Sequence, residues 1–298
     1  MRRRSGIALI AAVLLADAPA GRADRRDVAG YQGSFRWGMA DADFGGLSGL
    51  EVGADGAQFL ALTDRGAVIE GRFARDEAGL ITGVAEANLH RLSIPAGAVP
   101  EEFRMDSEGL AADGTGGFYV TTEYVTRIMH YADADALPTQ LPSPREFVGL
   151  DQNGGLEALA INSDGALYTL PEVSRRSDGT APLYRFRNGT WGRPALIPVD
   201  GEFLPVGADF DPDGRLYLLE RKFFGLGGFA TRVRRLSLSD GGVISDETLL
   251  ESPAGTFSNL EGIAVWQDAS GATRIILISD DNFLAVLGTE VVEFLVAG

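Results

Sequence analysis

Five stretches of the chain repeat one plan, and no other feature restricts the fold as much. They are GGLSGLEVGADGAQFLALTDRG (45–66), DSEGLAADGTGGFYVTTEY (106–124), GGLEALAINSDGALYTLPE (154–172), PVGADFDPDGRLYLLER (205–221) and SNLEGIAVWQDASGATRIILISDDN (258–282). Each opens on a polar or small residue, passes through Gly or Ala into an apolar run, turns at a glycine and returns as a second apolar run. Four of the five close on a carboxylate right after that run (Asp64, Glu123, Glu220, Asp280), and the third closes at Glu172, one residue past a proline. With Gly49, Gly109, Ala158, Ala208 and Gly262 as the register, the spacings are 60, 49, 50 and 54. A period near 50 built from short strands and glycine turns predicts an all-β fold, a β-propeller.

The segments between repeats supply the remaining strands. Residues 181–199 read as two strands around Asn188-Gly189, and residues 231–250 as two strands around Asp240-Gly241-Gly242. Both turns are hairpin signals, so the blades are four-stranded. The last repeat is followed by one convincing strand, 290–296, while residues 31–37 stand alone before the first repeat. Pairing these two ends completes the last blade and removes two exposed edges. The expectation is five blades, or six if the long first spacing conceals a degenerate one.

The N-terminus reads as an export address. Arg2, Arg3 and Arg4 precede a short apolar run, 7–16, and small residues at Ala18, Ala20, Gly21 and Ala23 follow. That three-part pattern predicts a secretory signal peptide over residues 1–23 and a periplasmic or secreted product. The repeats make residues 24–298 a single propeller domain, expected to act as a monomer. The apolar run is too short to span a bilayer, and no later stretch is long and apolar enough. Composition closes off several chemistries. There is no cysteine, hence no disulfide, thiolate metal site or cysteine nucleophile. The net charge of −16 argues against a nucleic-acid partner, which needs a basic face.

The repeat also gathers charge. The first strand of each blade lines a propeller's channel, so equivalent positions converge on the axis. The position before the register residue is Ser48, Glu108, Glu157, Gly207 and Glu261. Three carboxylates at one height call for a cation or for protons, and a hard cation with oxygen ligands, Ca²⁺ first, suits them. The other reading is that these glutamates cap turns or pair with arginines. A second set, Asp64, Glu123, Glu172, Glu220 and Asp280, closes the second strands at the same end. Arg65, Arg175, Arg176, Arg221 and Lys222 lie beside members of it. Such a mixture makes a cation site with anion-binding arginines, or a set of blade-to-blade salt bridges.

Other chemistries find little support. Ser48 sits in Gly-Leu-Ser-Gly-Leu, which lacks the last glycine of a nucleophile elbow. His90 and His130 have no partner nearby in sequence and read as ordinary residues. Asp211-Pro212-Asp213-Gly214 reads as a turn, and the Asn188-Gly189-Thr190 sequon as a hairpin tip.

Taken in order, TDRG (63–66), DSEGLA (106–111), GGLEALA (154–160), LLER (218–221), SNLEGIAV (258–265) and SDDNF (279–283) resemble the bacterial phytase-like family, also described as esterase-like activity of phytase. The resemblance covers residues 45–296. It implies a secreted propeller that hydrolyses carboxylate or phosphate esters. Calcium-dependent propeller phytases, and gluconolactonase-type and paraoxonase-type propellers, hold Ca²⁺ with carboxylates of the channel. Glu108, Glu157 and Glu261 match that placement by position. The chain departs at repeat four, where Gly207 stands for Glu. A single lysine, Lys222, argues against the densely anionic phytate.

The expected mechanism is therefore metal-assisted hydrolysis of a small-molecule ester. Glu108, Glu157 and Glu261 are the metal ligands, Asp64 and Asp280 the catalytic groups, and Arg65 and Arg221 the substrate's anion partners. The alternative is a non-catalytic propeller presenting its mouth to a peptide, sugar or protein.

Overall fold

Near-continuous apolar runs make the inner strands of each blade buried on both faces, since each blade is packed between two others. The structure, a computed structural model, describes residues 24–93, 105–123, 125–150, 154–173, 177–200, 202–284 and 287–296. The expected leader, residues 1–23, and Arg175 and Arg176 lie outside the described residues.

Among the described residues, twenty strands form five antiparallel four-stranded sheets in a ring, a five-bladed β-propeller. Blade one is β2 (Leu47–Val52), β3 (Gln58–Thr63), β4 (Ala67–Arg75) and β5 (Ile81–Arg91). Blade two is β6 (Ser107–Ala112), β7 (Phe118–Thr122), β8 (Arg127–Tyr131) and β9 (Thr139–Gln140). Blade three is β10 (Leu156–Ile161), β11 (Leu167–Pro171), β12 (Thr180–Arg187) and β13 (Thr190–Pro198). Blade four is β14 (Leu204–Phe210), β15 (Leu216–Phe223), β16 (Phe229–Ser239) and β17 (Gly242–Glu251). Blade five is β18 (Asn259–Gln267), β19 (Thr273–Asp280), β20 (Thr289–Leu295) and, on its outer edge, β1 (Tyr31–Trp37). The long first spacing holds the two long outer strands of blade one and not a sixth blade.

The ring closes as expected. β1 pairs antiparallel with β20, from Tyr31 opposite Phe294 to Trp37 opposite Thr289. Arg25 fastens the start of this segment: its Nε donates to the Thr256 carbonyl at 3.0 Å, and its guanidinium pairs with Glu290. Between blades run five apolar seams. Leu50, Ile69 and Phe59 meet Ile276 and Val291 across blades one and five, and Val206, Tyr217 and Leu219 meet Leu260 and Ile263 across blades four and five. The other three seams follow suit.

The inner strands explain the small register residues. A Cβ on Gly109 would lie 2.5 Å from the Glu157 carbonyl oxygen, and one on Gly262 would lie 3.0 Å from the Gly49 backbone. Only small residues let five inner strands approach so closely around an axis. The channel there narrows to a cavity of about 10 Å³, room for one water at most.

Each inner strand also carries a β-bulge next to that position. The pairing register shifts between Leu47 and Gly49, Ser107 and Leu110, Leu156 and Ala158, Pro205 and Gly207, and Leu260 and Gly262. This corrects the register of repeat four. Gly207, not Ala208, is the small residue at the axis, and Val206, not Gly207, takes the place held elsewhere by Ser48, Glu108, Glu157 and Glu261. Ala208 is also small, so residue type alone did not separate the two. The seven-residue interval from Gly207 to Gly214 matches that from Gly49 to Gly56 and does separate them.

Candidate metal centre at the propeller mouth

A bulge inserts an unpaired residue and turns its side chain out of the regular alternation. Here that device aims Glu108, Glu157 and Glu261 at one end of the channel. The second strands end at the same level. The Asp64 N–H donates to the Gly46 carbonyl at 2.8 Å, that of Glu123 to Asp106 at 2.7 Å, and that of Glu172 to Gly155 at 3.0 Å. Asp280 lies opposite Asn259 in the pairing of β18 with β19. Glu220 apart, both acidic sets therefore share one mouth.

Within the mouth the carboxylates divide. Asp106, Glu108 and Glu123 offer oxygens that all lie within 4.8 Å of one another. Glu123 Oε1 accepts the Gly155 N–H at 3.0 Å, which holds one of its oxygens in place. One oxygen of Asp64, Oδ1, is buried with no hydrogen-bond partner among the described residues. On the other side stands Arg221. Its Nη2 donates to Glu172 Oε1 at 3.2 Å, its Nη1 to Asn259 Oδ1 at 2.8 Å, and it pairs closely with Glu261. Asn259 Nδ2 donates to Glu261 Oε1 at 2.8 Å.

Electrostatics follow the same division. Burial pushes Glu108 well above the ordinary carboxylate range, and Glu261, Glu123, Asp106 and Asp64 push it further. Burial, assisted by Asp106 and Glu172 and opposed by the Gly155 N–H, lifts Glu123 to about 7. Asp64 rises to about 7, again through burial first, with Arg65 opposing. Burial and then Glu261 lift Asp280 to about 8. Glu157 rises with burial, Glu172 and Glu108, and Glu261 rises with burial against the pull of Arg221. Arg221 itself is held above the ordinary arginine value: burial works against its charge, but Glu261, Glu157 and Glu172 outweigh it.

The sequence placed Glu108, Glu157, Glu261, Asp64 and Asp280 at one mouth, and so does the structure. It groups them differently. Glu108 clusters with Asp106 and Glu123, whereas Glu261 is engaged by an arginine. Arg221, expected to face a substrate, is mostly buried among carboxylates. Arg65 is exposed, with its guanidinium carbon 3.2 Å from the centre of the Phe283 ring. Asp106 was legible only as the opening residue of its repeat, two before Glu108. Glu220 leaves the mouth: fully buried, it accepts from Arg232 Nε at 2.7 Å and Arg234 Nη1 at 2.8 Å.

A cation fits the first group. Its donors are all carboxylate oxygens, the choice of hard ions such as Ca²⁺. Three acids so close and so raised in pKa have no paired cation among the described residues, and Asp64 adds an oxygen without a partner among them. Ser48 and the histidines fit no nucleophilic site. Ser48 Oγ donates to the Ser107 carbonyl at 2.8 Å, and His130 Nε2 lies 2.9 Å from Asp113 at the opposite end.

The tip between β19 and β20 forms part of the rim. Asp281 Oδ1 accepts from the Gly46 and Phe283 N–H groups, both at 2.9 Å. Asn282 and Phe283 adopt left-handed φ values of 50° and 51°. Such conformations are rare for a phenylalanine and cluster at functional sites. They set the Phe283 ring beneath Arg65.

Comparisons with known proteins agree with the fold. No curated protein matches the sequence significantly. An α-L-arabinofuranosidase from Podospora anserina, solved with cellotriose, is similar at 13% identity and TM-score 0.51, over 89% of this chain and 95% of that one. A gluconolactonase from Xanthomonas campestris is similar at 15% identity and TM-score 0.44, over 84% of this chain and 72% of that one. A calcium-binding protein, regucalcin, from Agrobacterium tumefaciens is similar at 15% identity and TM-score 0.42, over 85% and 76%. The sequence profile of the phytase-like family, described as esterase-like activity of phytase, matches residues 42–283, and the chain belongs to that family.

Proposed function

We propose that this protein is an exported hydrolase of small-molecule esters whose mouth holds a divalent cation, Ca²⁺ first. The observation that carries the reading is the convergence of Asp106, Glu108 and Glu123 within 4.8 Å, beside the unpartnered Asp64 Oδ1. Asp106, Glu108 and Glu123 would hold the ion. When bound, such a cation draws electron density from an ester's carbonyl or phosphoryl oxygen and makes a nearby water more acidic.

The chain's own residues do the rest. Asp64 and Asp280, lifted to about 7 and about 8, are matched to proton transfer near neutral pH and serve as candidate general bases. Arg65, exposed at the rim, meets an anionic part of the substrate. Arg221 acts from inside, keeping the charges of Glu172 and Glu261 compensated so that the second half of the mouth needs no metal. Glu157 lies between the two halves and completes the acidic wall. The Arg-rich, then apolar, then small-residue order of residues 1–23 supports export. No helix among the described residues is long and apolar enough to cross a membrane.

The test is hydrolysis of carboxylate and phosphate esters by the purified protein with Ca²⁺ or with chelator. The expected result is turnover that chelator removes and that Glu108→Gln lowers at least a hundredfold. Thermal stabilisation by Ca²⁺ without turnover of any ester between pH 5 and 9 would overturn the enzyme and leave a binding propeller.

A further inference from the structure

The acidic mouth is rimmed by oil. Phe223, Phe224 and Leu226 are 58%, 47% and 87% exposed at the tip of the β15–β16 hairpin, just beyond Arg221. Val173, next to Glu172, and Leu284, three residues past Asp281, are 40% and 38% exposed at the same end of the ring. The other exposed large apolar residues among those described are Leu137, Leu196 and Ile244. Each of these stands singly, at the far end of the ring or on an outer strand. Scattered apolar residues are ordinary on a surface, but a cluster from three blades around one opening is not.

The hairpin tip is also shaped. A tight turn is usually built from Gly, Asn or Asp, and this one carries three large apolar side chains in water. Residues 223–229, Phe-Phe-Gly-Leu-Gly-Gly-Phe, hold no charge. Phe223 rests on Phe229 with ring centres 4.9 Å apart, and Phe229 lies 5.8 Å from the Arg221 guanidinium carbon. The Gly255 N–H donates to the Phe229 carbonyl at 2.9 Å and anchors the base of the hairpin. An apolar surface thus leads from the solvent towards Arg221 at the polar lining of the mouth, with the Lys222 ammonium 4.6 Å from the centre of the Phe224 ring.

We infer that this hairpin is the specificity arm of the site, and that its substrate is an ester with an apolar acyl or aryl group several carbons long. This rests on the hydrolase reading for the ester and on the rim for the apolar group. The ester function sits over the carboxylates while its hydrocarbon lies along Phe223, Phe224 and Leu226. Charge points the same way. Of the described cations near the mouth, Arg221 is committed to Glu172 and Glu261 and Lys222 is paired with Glu202, which leaves Arg65 for a single anionic group and little to hold a polyanion.

The experiment compares p-nitrophenyl acetate with p-nitrophenyl octanoate, below its micellar concentration, on the wild type and on Phe224→Ser, Leu226→Ser and the double variant. These side chains are exposed, so the variants should melt with the wild type. The expected result is preference for octanoate, and an increase in its KM of about tenfold in the double variant with kcat and acetate hydrolysis unchanged. Binding of 4-methylumbelliferyl octyl ether, which has no ester to cleave, is measured by fluorescence alongside. Tenfold weaker ether binding by the double variant, in a protein that cleaves no ester, would uphold the arm and sink the hydrolase. Ester turnover indifferent to chain length and to both substitutions would sink the arm and leave the hydrolase. Phosphatidylcholine vesicles that bind the wild type but not the double variant, with octanoate kinetics unchanged, would make the rim a lipid interface and also overturn the proposal.

Discussion

Asp64, Glu123 and Asp280 have pKa values of about 7, about 7 and about 8, against ordinary values of 3.8, 4.5 and 3.8. An acid whose folded pKa is raised keeps its proton in the folded state after the unfolded chain has lost its own. From about pH 4 to about pH 8 unfolding therefore releases protons, and stability falls as pH rises. Chelator-treated protein should melt several degrees higher at pH 5 than at pH 8. Saturating Ca²⁺ should flatten that slope, because a bound cation replaces the protons. A chelated protein that melts higher at pH 8 would contradict the assignment. Arg221 offers a complementary test. Arg221→Met leaves Glu172 and Glu261 buried without their cation and should lower stability by about 3 kcal/mol in denaturant titration. Arg221→Lys should recover part of it, since a lysine restores the charge but not the fork that reaches Glu172 and Asn259 together. A full-stability Arg221→Met protein would show that the pair is not what holds these acids.

At the scale of the element, the inner strand is the decisive unit. Its small residue permits close approach to the next blade, and the bulge beside it aims an acid at the mouth. Gly109→Ala tests the first property. The added methyl would meet the Glu157 carbonyl oxygen at 2.5 Å, backbone that cannot yield cheaply. The expected loss is about 1–3 kcal/mol, read as a shift in the denaturation midpoint without a change in slope. Gly114, in the turn after the same strand, has open space around it. Its φ of 75° still favours glycine, so a comparison at that position would measure backbone strain instead of crowding. An unchanged midpoint in Gly109→Ala would mean the inner strands sit further apart than described.

The molecule as a whole is a ring held by five apolar seams and closed by one strand from the other end of the chain. Deleting residues 31–37 exposes the edge of β20 and uncovers Phe294 and Val291, so it should lower stability by several kcal/mol and promote association through the bare edge. A deletion variant with the melting temperature of the full chain would count against closure by β1. All five blades contribute to the mouth, blade four through Arg221, and a cation on Asp106, Glu108 and Glu123 would tie the start of blade two's inner strand to the end of its second strand. A ligand bound only by the closed ring stabilises it by about 2.7 kcal/mol at a hundredfold excess over Kd. Millimolar Ca²⁺ should therefore raise the melting temperature. Glu108→Gln should remove most of that shift and Glu261→Gln much less, since Arg221 already serves Glu261. Equal losses from the two variants would favour one ion shared across the axis.

Periodicity alone was enough to read the four-stranded blades, the hairpins and the closure, because each blade repeats one two-strand pattern and buries it in the same way. The choice between five blades and six fell to the structure, which fills the long first spacing with β4 and β5. The acidic mouth was legible for a related reason: equivalent positions in a ring must meet at its axis. Which carboxylate serves a metal and which serves an arginine was not. That depends on neighbours from other blades, such as Arg221 reaching Glu172 of blade three and Asn259 and Glu261 of blade five. Glu220 shows the same limit. It sits in the acidic pattern, yet one residue's difference in facing turns it into the sheet, where Arg232 and Arg234 meet it across the pairing with β16. Val206 likewise could not be assigned by type while Gly207 and Ala208 were both small. A repeat determines the direction of a strand and the height of a residue along it. The partner of a charge is decided by distances between blades, and those exist only once the ring has closed.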